Sequence, residues 1–182
     1  CLDLGRRIGV RADDRPETLA PELFVTEAER TTAQTRLQAA GAQPGDFLLG
    51  VHSTSGGSSP NWAPDRYVQL ATQVLEQTHS GVRIVLTGEE AIPAYPASPR
   101  IIDKRGERPL RELLADLSQL GALVSASTGP MHAAAALGIP TISLFCPLPA
   151  CSPELWGPQG NEARILVPPD GACPGRCPPD PK

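Results

Sequence analysis

The sequence predicts an α/β domain in which helices cover both faces of a doubly wound parallel sheet. Short apolar runs alternate with amphipathic segments along most of the 182 residues, and several runs end in glycine-rich or small polar loops, as buried parallel strands do. The intervals are too short for separate domains, so one sheet with right-handed crossovers is expected. Ligands bind beyond the carboxyl ends of the strands in such sheets. The loops after the strands are therefore the candidate functional segments.

A helix opens the predicted order of elements. Thr26 is its expected N-cap, Glu29 its capping-box partner and Gly41 its stop. We expect Pro64 in the first turn of the second helix and Pro130 at the first position of the last. Strands are predicted at 47–52, 82–88, 100–103, 122–127 and 140–145, and the later helices within 63–81, 109–121 and 130–138.

Apolar side chains recur at helical spacing in two of these helices, and such stripes face a core. They are Tyr67, Leu70, Ala71, Val74 and Leu75 in one helix and Leu110, Leu113, Leu114, Leu117 and Leu120 in the other. We interpret both stripes as packing surfaces that imply no cofactor.

Composition limits the class of function. The net charge is −4, and 16 basic residues are scattered among 20 acidic ones, which argues against a nucleic-acid-binding protein. No apolar run approaches the ~20 residues of a membrane span, and the first residues contain no signal-peptide core. We expect a soluble, cytoplasmic protein whose domain covers 26–168, between a proline-punctuated lead-in at 1–25 and a Cys- and Pro-rich tail at 169–182. Because the chain begins with Cys1, an upstream portion is expected to be missing.

Cysteine spacing leaves two interpretations open. Cys146, Cys151, Cys173 and Cys177 could form a four-thiolate metal site, although their spacings are looser than usual. Free thiols in loops and a closing tail are the alternative, and they suit an intracellular α/β protein better than a disulfide framework does.

Two loops follow predicted strands and carry suitable chemistry. In the first, Ser53, Thr54 and Ser55 offer hydroxyl groups, while Gly56 and Gly57 let the backbone approach an anion. A solvated turn is the competing interpretation of this segment.

The second loop runs from Ser127 to His132. Thr128 and Gly129 turn the chain ahead of Pro130, which leaves a helix N-terminus open toward a phosphate. His132 could donate to that phosphate or only to a neighbouring carbonyl group. Neither loop has the glycine and lysine spacing of the dinucleotide-binding or Walker patterns.

Longer segments carry a resemblance. The stretches "GVHSTSGGSSPNWAPDRYVQLA" and "STGPMHAAAALGIPTISLFCP", with "VRIVLTGEE", "DKRGERPLRELLADL" and "WGPQG" in register, resemble the carboxyl-terminal half of a heptosyltransferase of glycosyltransferase family 9. The resemblance covers about residues 45–168. It implies one Rossmann-like half of a GT-B fold that binds a nucleotide-sugar donor, typically ADP-heptose. A missing amino-terminal domain would bind the lipopolysaccharide-type acceptor and supply the general base, so this fragment alone is expected to be inactive.

The resemblance also assigns residues to the donor. The pyrophosphate and sugar would lie near the two loops, the base near Ile101 to Lys104, and the ribose near Glu89 or Glu90. The donor-binding set is Ser53, Thr54, Ser55, Gly56, Gly57, Glu89, Ser127, Thr128, Gly129, Pro130, Met131 and His132.

This chain departs from the family pattern at two positions of the donor half. Ser127 stands where the family usually has Asp, and Pro60 stands where a basic residue usually precedes the tryptophan, here Trp62. The second change removes an expected charge-assisted contact to the diphosphate.

The implied reaction is displacement at the anomeric carbon, in which backbone N–H groups, a helix dipole and His132 stabilise the leaving diphosphate. No paired-aspartate turn is present, so we expect no metal and no cofactor beyond the donor substrate. Peripheral contact with the inner membrane would come through the missing half. The alternatives are a non-catalytic nucleotide-sugar-binding module, another GT-B enzyme such as a nucleotide-sugar epimerase, and a cysteine-organised metal module.

Overall fold

The computed structural model of the protein describes residues 20–57, 60–89 and 94–169. The strands of the described part are β1 (Phe47–His52), β2 (Val82–Thr87), β3 (Ile101–Asp103), β4 (Ala122–Ala126), β5 (Thr141–Leu144) and β6 (Ala163–Leu166). The helices are α1 (Glu27–Ala39), α2 (Pro64–Gln77), α3 (Leu110–Leu117), α4 (Gly129–Ala136) and α5 (Pro153–Trp156), with a 3-10 turn at Pro149–Cys151.

All strand pairs are parallel, and the strand order is β3-β2-β1-β4-β5-β6. The chain builds outward from β1 to β3, then crosses back beside β1 and builds outward on the other side. This reversal between β1 and β4 is the arrangement of a doubly wound sheet. The predicted fold class is confirmed.

Alternate residues of the strands face two separate cores. Val85 packs with Leu37 of α1 and Leu117 of α3 on one face, whereas Ile84 packs with Tyr67 of α2 on the other. Side chains of a strand alternate between faces, so each central strand contributes to both cores. Helices α1, α3 and α4 cover one face, and α2 covers the opposite face.

Gly50 lets the turn after α3 and a side chain of β4 pack closely on β1. A Cβ atom at Gly50 would lie 2.5 Å from Leu120 Cδ1 and 2.9 Å from Leu123 Cδ1. Both distances are below van der Waals contact, so glycine is what lets these leucines fill the core above β1.

The predicted start of α1 is confirmed. Thr26 Oγ1 accepts from the Glu29 N–H at 3.3 Å, and the Glu29 carboxylate accepts from the Thr26 N–H at 2.8 Å. Arg111 of α3 also binds both carboxylate oxygens of Glu29. The Arg111 bonds, followed by those from Thr26, lower the pKa of Glu29 to about 2.

Three local predictions differ from the structure. Leu110 is 68% exposed, because it is the first residue of α3 and the core-facing stripe begins one turn later. Pro130 is the second residue of α4, after Gly129. Strand β6 was not predicted, because only four residues form it and Arg164, Ile165 and Leu166 are all exposed, which leaves no alternating pattern.

Of the predicted lead-in at 1–25, the structure describes residues 20–25. Within this segment Val25 is buried against Ala33 and Leu114, and the Leu23 N–H donates to the Ala136 carbonyl at 2.9 Å. Of the predicted tail at 169–182, all but residue 169 lie outside the described part. No helix in the described ranges is long and apolar enough to cross a membrane.

Candidate functional site

The two predicted loops meet at the point where the strand order reverses. Strands β1 and β4 are neighbours, with His52 paired to Ser125 at their carboxyl ends. The loops that follow border one cleft of about 370 Å³, which contains both Gly56 and Gly129. The glycines thus lie at the same end of the sheet, as the sequence predicted.

Four loop segments line this cleft, together with His52 of β1 and Leu113 of α3. The loop segments are residues 54–56 after β1, Gly88 and Glu89 after β2, 106–108 before α3, and 128–130 at the start of α4. Glu89, predicted to lie near a ribose, therefore borders the same space as the two loops. Glu90 lies outside the described residues.

The start of α4 gives the cleft a positive end. The first N–H groups of a helix have no partner within the helix, and the helix dipole adds about half a positive charge there. No acidic residue lies in the first turn, and the Thr128 side chain makes no capping bond. Thr128 Oγ1 is buried and has no hydrogen-bond partner among the described residues. An anion in the cleft would lie beside the positive end of α4.

A second cavity, of about 340 Å³, also borders the α4 N-terminus. Ser127, His132, Cys151 and Trp156 line it, and Thr128 and Gly129 border both spaces. The site predicted as one region is therefore two adjoining spaces. Burial lowers the pKa of His132, which favours its neutral form.

Three residues of the predicted donor-binding set do not line either cavity. Ser53 is almost fully buried beneath the β1 loop and Met131 is fully buried, so the Met131 side chain packs in the protein interior. Gly57, with φ of 75°, completes the turn that presents Gly56.

His52 links the ends of β1 and β2 at the base of the cleft. Its Nδ1 lies 3.0 Å from Thr87 Oγ1, and its Nε2 lies 3.5 Å from Thr54 Oγ1. Burial, with a smaller effect from the charge of Arg108, lowers the pKa of His52 to about 4. The imidazole is therefore neutral near pH 7 and acts there as a hydrogen-bonding group without charge.

Asn61 holds the loop after β1 against α2. Its Nδ2 donates to the Ser53 carbonyl at 2.8 Å, and its Oδ1 accepts from the Tyr67 hydroxyl at 2.6 Å and from the Trp62 N–H at 2.8 Å. Sequence reasoning missed this residue, because the spacing of Asn61 and Tyr67 does not reveal a shared contact.

Arg108 is the second residue that sequence reasoning missed. It borders the cleft, and its Nη1 donates to Asp116 Oδ2 at 2.9 Å. Asp116 is 1% exposed and accepts a second bond, at 2.5 Å, from Arg36 of α1. The position of Arg108 directly before the predicted helix was the only signal in the sequence.

The stretch from Ile101 to Lys104, predicted to lie near a nucleotide base, borders a third space beside β2 and β3. This space has a volume of about 310 Å³. Ile101 and Asp103 line it together with Tyr95 and Arg105. The Arg105 guanidinium lies 5.3 Å from the centre of the Tyr95 ring and binds Asp103 at 2.6 Å. A flat aromatic surface beside a cation is compatible with a base, although these residues do not border the cleft.

Metal ligands do not assemble in the described ranges. No three His, Cys, Asp or Glu side chains lie together there as a metal site requires. Cys146 is buried and Cys151 half-buried, and they form no disulfide with each other. Cys1, Cys173 and Cys177 lie outside the described residues, so the four-thiolate hypothesis stays a prediction.

Comparison with known proteins agrees with this architecture. The family model of glycosyltransferase family 9 (heptosyltransferase) matches residues 10–176. Lipopolysaccharide heptosyltransferase 2 of Escherichia coli (strain K12) is 26% identical over 167 residues, which are 85% of this chain and 45% of that protein. The chain spans about half the length of the curated relatives it matches.

Two solved structures share the fold. The glycosyltransferase family 9 protein from Veillonella parvula superposes with a TM-score of 0.71 at 21% identity, over 92% of this chain and 47% of that one. The E. coli ADP-heptose lipopolysaccharide heptosyltransferase II does so with a TM-score of 0.65 at 22% identity, over 85% of this chain and 47% of that one. These neighbours are GT-B glycosyltransferases, and the family match covers most of the sequence. The chain belongs to glycosyltransferase family 9, the heptosyltransferase family.

Proposed function

We propose that this chain is the donor-binding part of a glycosyltransferase. The enzyme would transfer heptose from a nucleoside-diphosphate donor, with ADP-heptose the expected one, to a lipopolysaccharide-type acceptor. The supporting observation is the single cleft that joins the β1 loop to the α4 N-terminus. Such a cleft at a topological switch point suits a diphosphate. Two relatives are named for lipopolysaccharide and, in one case, for ADP-heptose, and these names support the proposed sugar and acceptor.

In the proposed reaction an acceptor hydroxyl oxygen forms the new bond to the anomeric carbon. The bond from that carbon to the diphosphate oxygen breaks, and the nucleoside diphosphate leaves with the electron pair. The N–H groups at the start of α4 and in the β1 loop would stabilise the charge that grows on the leaving group. His132, neutral and beside the neighbouring cavity, would contact the sugar.

A general base must take up the proton of the attacking hydroxyl group. We propose that this base belongs to a further domain, which also binds the acceptor substrate. This chain alone would then bind donor without transferring it.

We expect cytoplasmic donor binding without a metal ion, so a chelator should leave the affinity for the donor unchanged. If EDTA abolished donor binding and added Mg²⁺ restored it, metal independence would be contradicted.

Calorimetric titration of the 182-residue chain with ADP, UDP and GDP tests donor binding. We expect saturable binding with ADP preferred, and absence of binding at millimolar concentration for all three would contradict the proposal. The transfer step is tested on a longer protein that contains this chain, by mass spectrometry of a lipopolysaccharide acceptor incubated with ADP-heptose.

Ser127 favours a second candidate, a binding module without transferase activity. It borders the second cavity with a hydroxyl group where the resemblance implies a carboxylate. Donor binding by the longer protein with no transfer, and restored transfer in its Ser127→Asp variant, would favour this alternative.

A further inference from the structure

We propose that Arg108 is the charged residue that binds the diphosphate in this chain, and that Asp116 and Arg36 position it. The nature of the anion rests on the proposed function, whereas the anion site itself rests on the geometry below. Sequence reasoning did not identify any of these three residues as functional.

Arg108 is the only lysine or arginine among the described residues that border the cleft. Its side chain is 11% exposed, so water screens its charge less than that of a surface group. The other ionisable groups bordering the cleft are Glu89 and Glu107, which are both exposed, and His52, which is neutral near pH 7. A diphosphate entering this space would therefore meet one largely buried positive charge.

A shared carboxylate fixes the direction of the Arg108 side chain. Asp116 Oδ2 accepts from Arg108 and Asp116 Oδ1 accepts from Arg36, so one negative charge is divided between two guanidinium groups. Arg36 has a further partner in Glu112, whose Oε1 lies 3.6 Å from Arg36 Nε. Asp116 therefore holds the Arg108 guanidinium in one orientation through the bond to Nη1.

The backbone at Arg108 is also held in place. The Gly106 N–H donates to the Gly88 carbonyl at 2.8 Å, which ties this loop to the end of β2. Gly106 has φ of 105°, and such a turn favours glycine. Pro109 follows and restricts Arg108 to an extended backbone. The guanidinium is therefore positioned before any ligand arrives, which lowers the entropic cost of binding.

Guanidinium geometry suits a phosphate group. The group carries five N–H donors in a plane, and only Nη1 is committed to Asp116 in the bonds described above. Pairs of parallel donors bind phosphate oxygens in bidentate fashion. Pro60 supplies no charge at the position where the resemblance implies a basic residue, so Arg108 would provide the cationic contact to the diphosphate.

The test is calorimetric titration of the 182-residue chain with inorganic pyrophosphate, ADP and adenosine. Arg108→Gln should weaken pyrophosphate and ADP binding about tenfold or more and change adenosine binding less than twofold. The affinities of Arg108→Lys for pyrophosphate and ADP should lie between those of the wild type and Arg108→Gln. Lysine keeps the positive charge but lacks the paired N–H donors of a guanidinium group. Arg164→Gln removes the same charge from exposed β6 and should leave all three affinities unchanged. Circular dichroism and thermal unfolding establish that each variant is folded.

The outcomes separate this inference from the proposed function. Wild-type affinity for ADP and pyrophosphate in folded Arg108→Gln would overturn the role of Arg108 and leave the donor proposal standing. Pyrophosphate binding that depends on Arg108, without any nucleotide binding, would support the anion site and overturn the nucleotide donor. A wild-type chain that binds neither ADP nor pyrophosphate would contradict both.

Discussion

Individual side chains around the cleft act by holding loops in position. His52 joins Thr87 to Thr54, and Gly88, with φ of 109°, packs so closely that a Cβ atom there would lie 2.6 Å from Thr54 Oγ1. The Thr54 hydroxyl is thereby fixed at the edge of the cleft.

Stability should depend on the protonation of His52. Its pKa falls from 6.5 to about 4 on folding, so between these pH values the unfolded chain takes up a proton that the folded chain does not. The free energy of unfolding should therefore decrease as the pH falls through this range, by about 3 kcal/mol in total. His132 contributes in the same direction, so the His52→Gln variant is the reference that isolates His52.

Denaturant unfolding at a series of pH values measures this difference. The wild-type protein should lose more stability than His52→Gln between pH 6.5 and 4. The chemical shift of the His52 ring, followed by NMR, reports its pKa directly. A ring that titrates near pH 6.5 in the folded protein would contradict the buried neutral state.

Asn61 and Tyr67 should be energetically coupled through their 2.6 Å hydrogen bond. Asn61→Ala removes one hydrogen-bond partner of the Tyr67 hydroxyl and the bond to the Ser53 carbonyl, so we expect a loss of about 1–3 kcal/mol in the free energy of unfolding. Tyr67→Phe should lose about 1 kcal/mol. Urea unfolding of both single variants and the double variant gives the coupling, and additive losses to within about 0.5 kcal/mol would exclude it.

At the scale of elements, α4 combines a tight approach to the sheet with an open N-terminus. Ala134 and Ala135 are buried, so small side chains let the helix lie close behind the cleft. Gly129 begins the helix, and a Cβ atom there would meet no atom within 4 Å. Space is therefore kept open where the first N–H groups face the cleft.

Substitution of Gly129 should separate binding from stability. Gly129→Ala should leave the free energy of unfolding unchanged or raise it slightly, since alanine favours helix by up to about 1 kcal/mol. Its methyl group enters the cleft, so ADP affinity should fall. Gly129→Asp adds a negative charge beside the diphosphate and should weaken binding further.

Gln69→Glu is the matched control, because it adds the same charge on the exposed face of α2. Calorimetry and thermal unfolding of the three variants measure both properties. Unchanged ADP affinity in Gly129→Asp would show that the diphosphate does not lie at the α4 N-terminus.

The sequence predicted the elements whose signals are local. The capping box at Thr26 and Glu29, the buried strands and the two glycine-containing loops all depend on neighbouring residues. Strand β6 was missed because an exposed edge strand carries no burial pattern. Arg108 and Asn61 were missed because their roles depend on Asp116 and Tyr67, and contacts of this kind are formed only when the chain folds. The division into two cavities was likewise unpredictable from spacing.

For the whole molecule, topology places the site. Because the strand order reverses between β1 and β4, the crossovers on the two sides of the sheet leave in opposite directions and open a cleft between them. The cleft brings together four loop segments that lie between residues 54 and 130 of the chain. The chain spans 45–47% of the lengths of two curated relatives, and both the donor-binding role and a partner half stay proposals.

NMR titration of the isotopically labelled 182-residue chain with ADP tests most directly whether these segments form one anion site. The amide signals of Gly56, Gly88 and Gly129, which border one cleft, should shift together with a single dissociation constant, while those of β6 stay unchanged. Shifts confined to one loop, separate dissociation constants for the two loops, or no shift at millimolar ADP would contradict a shared diphosphate site.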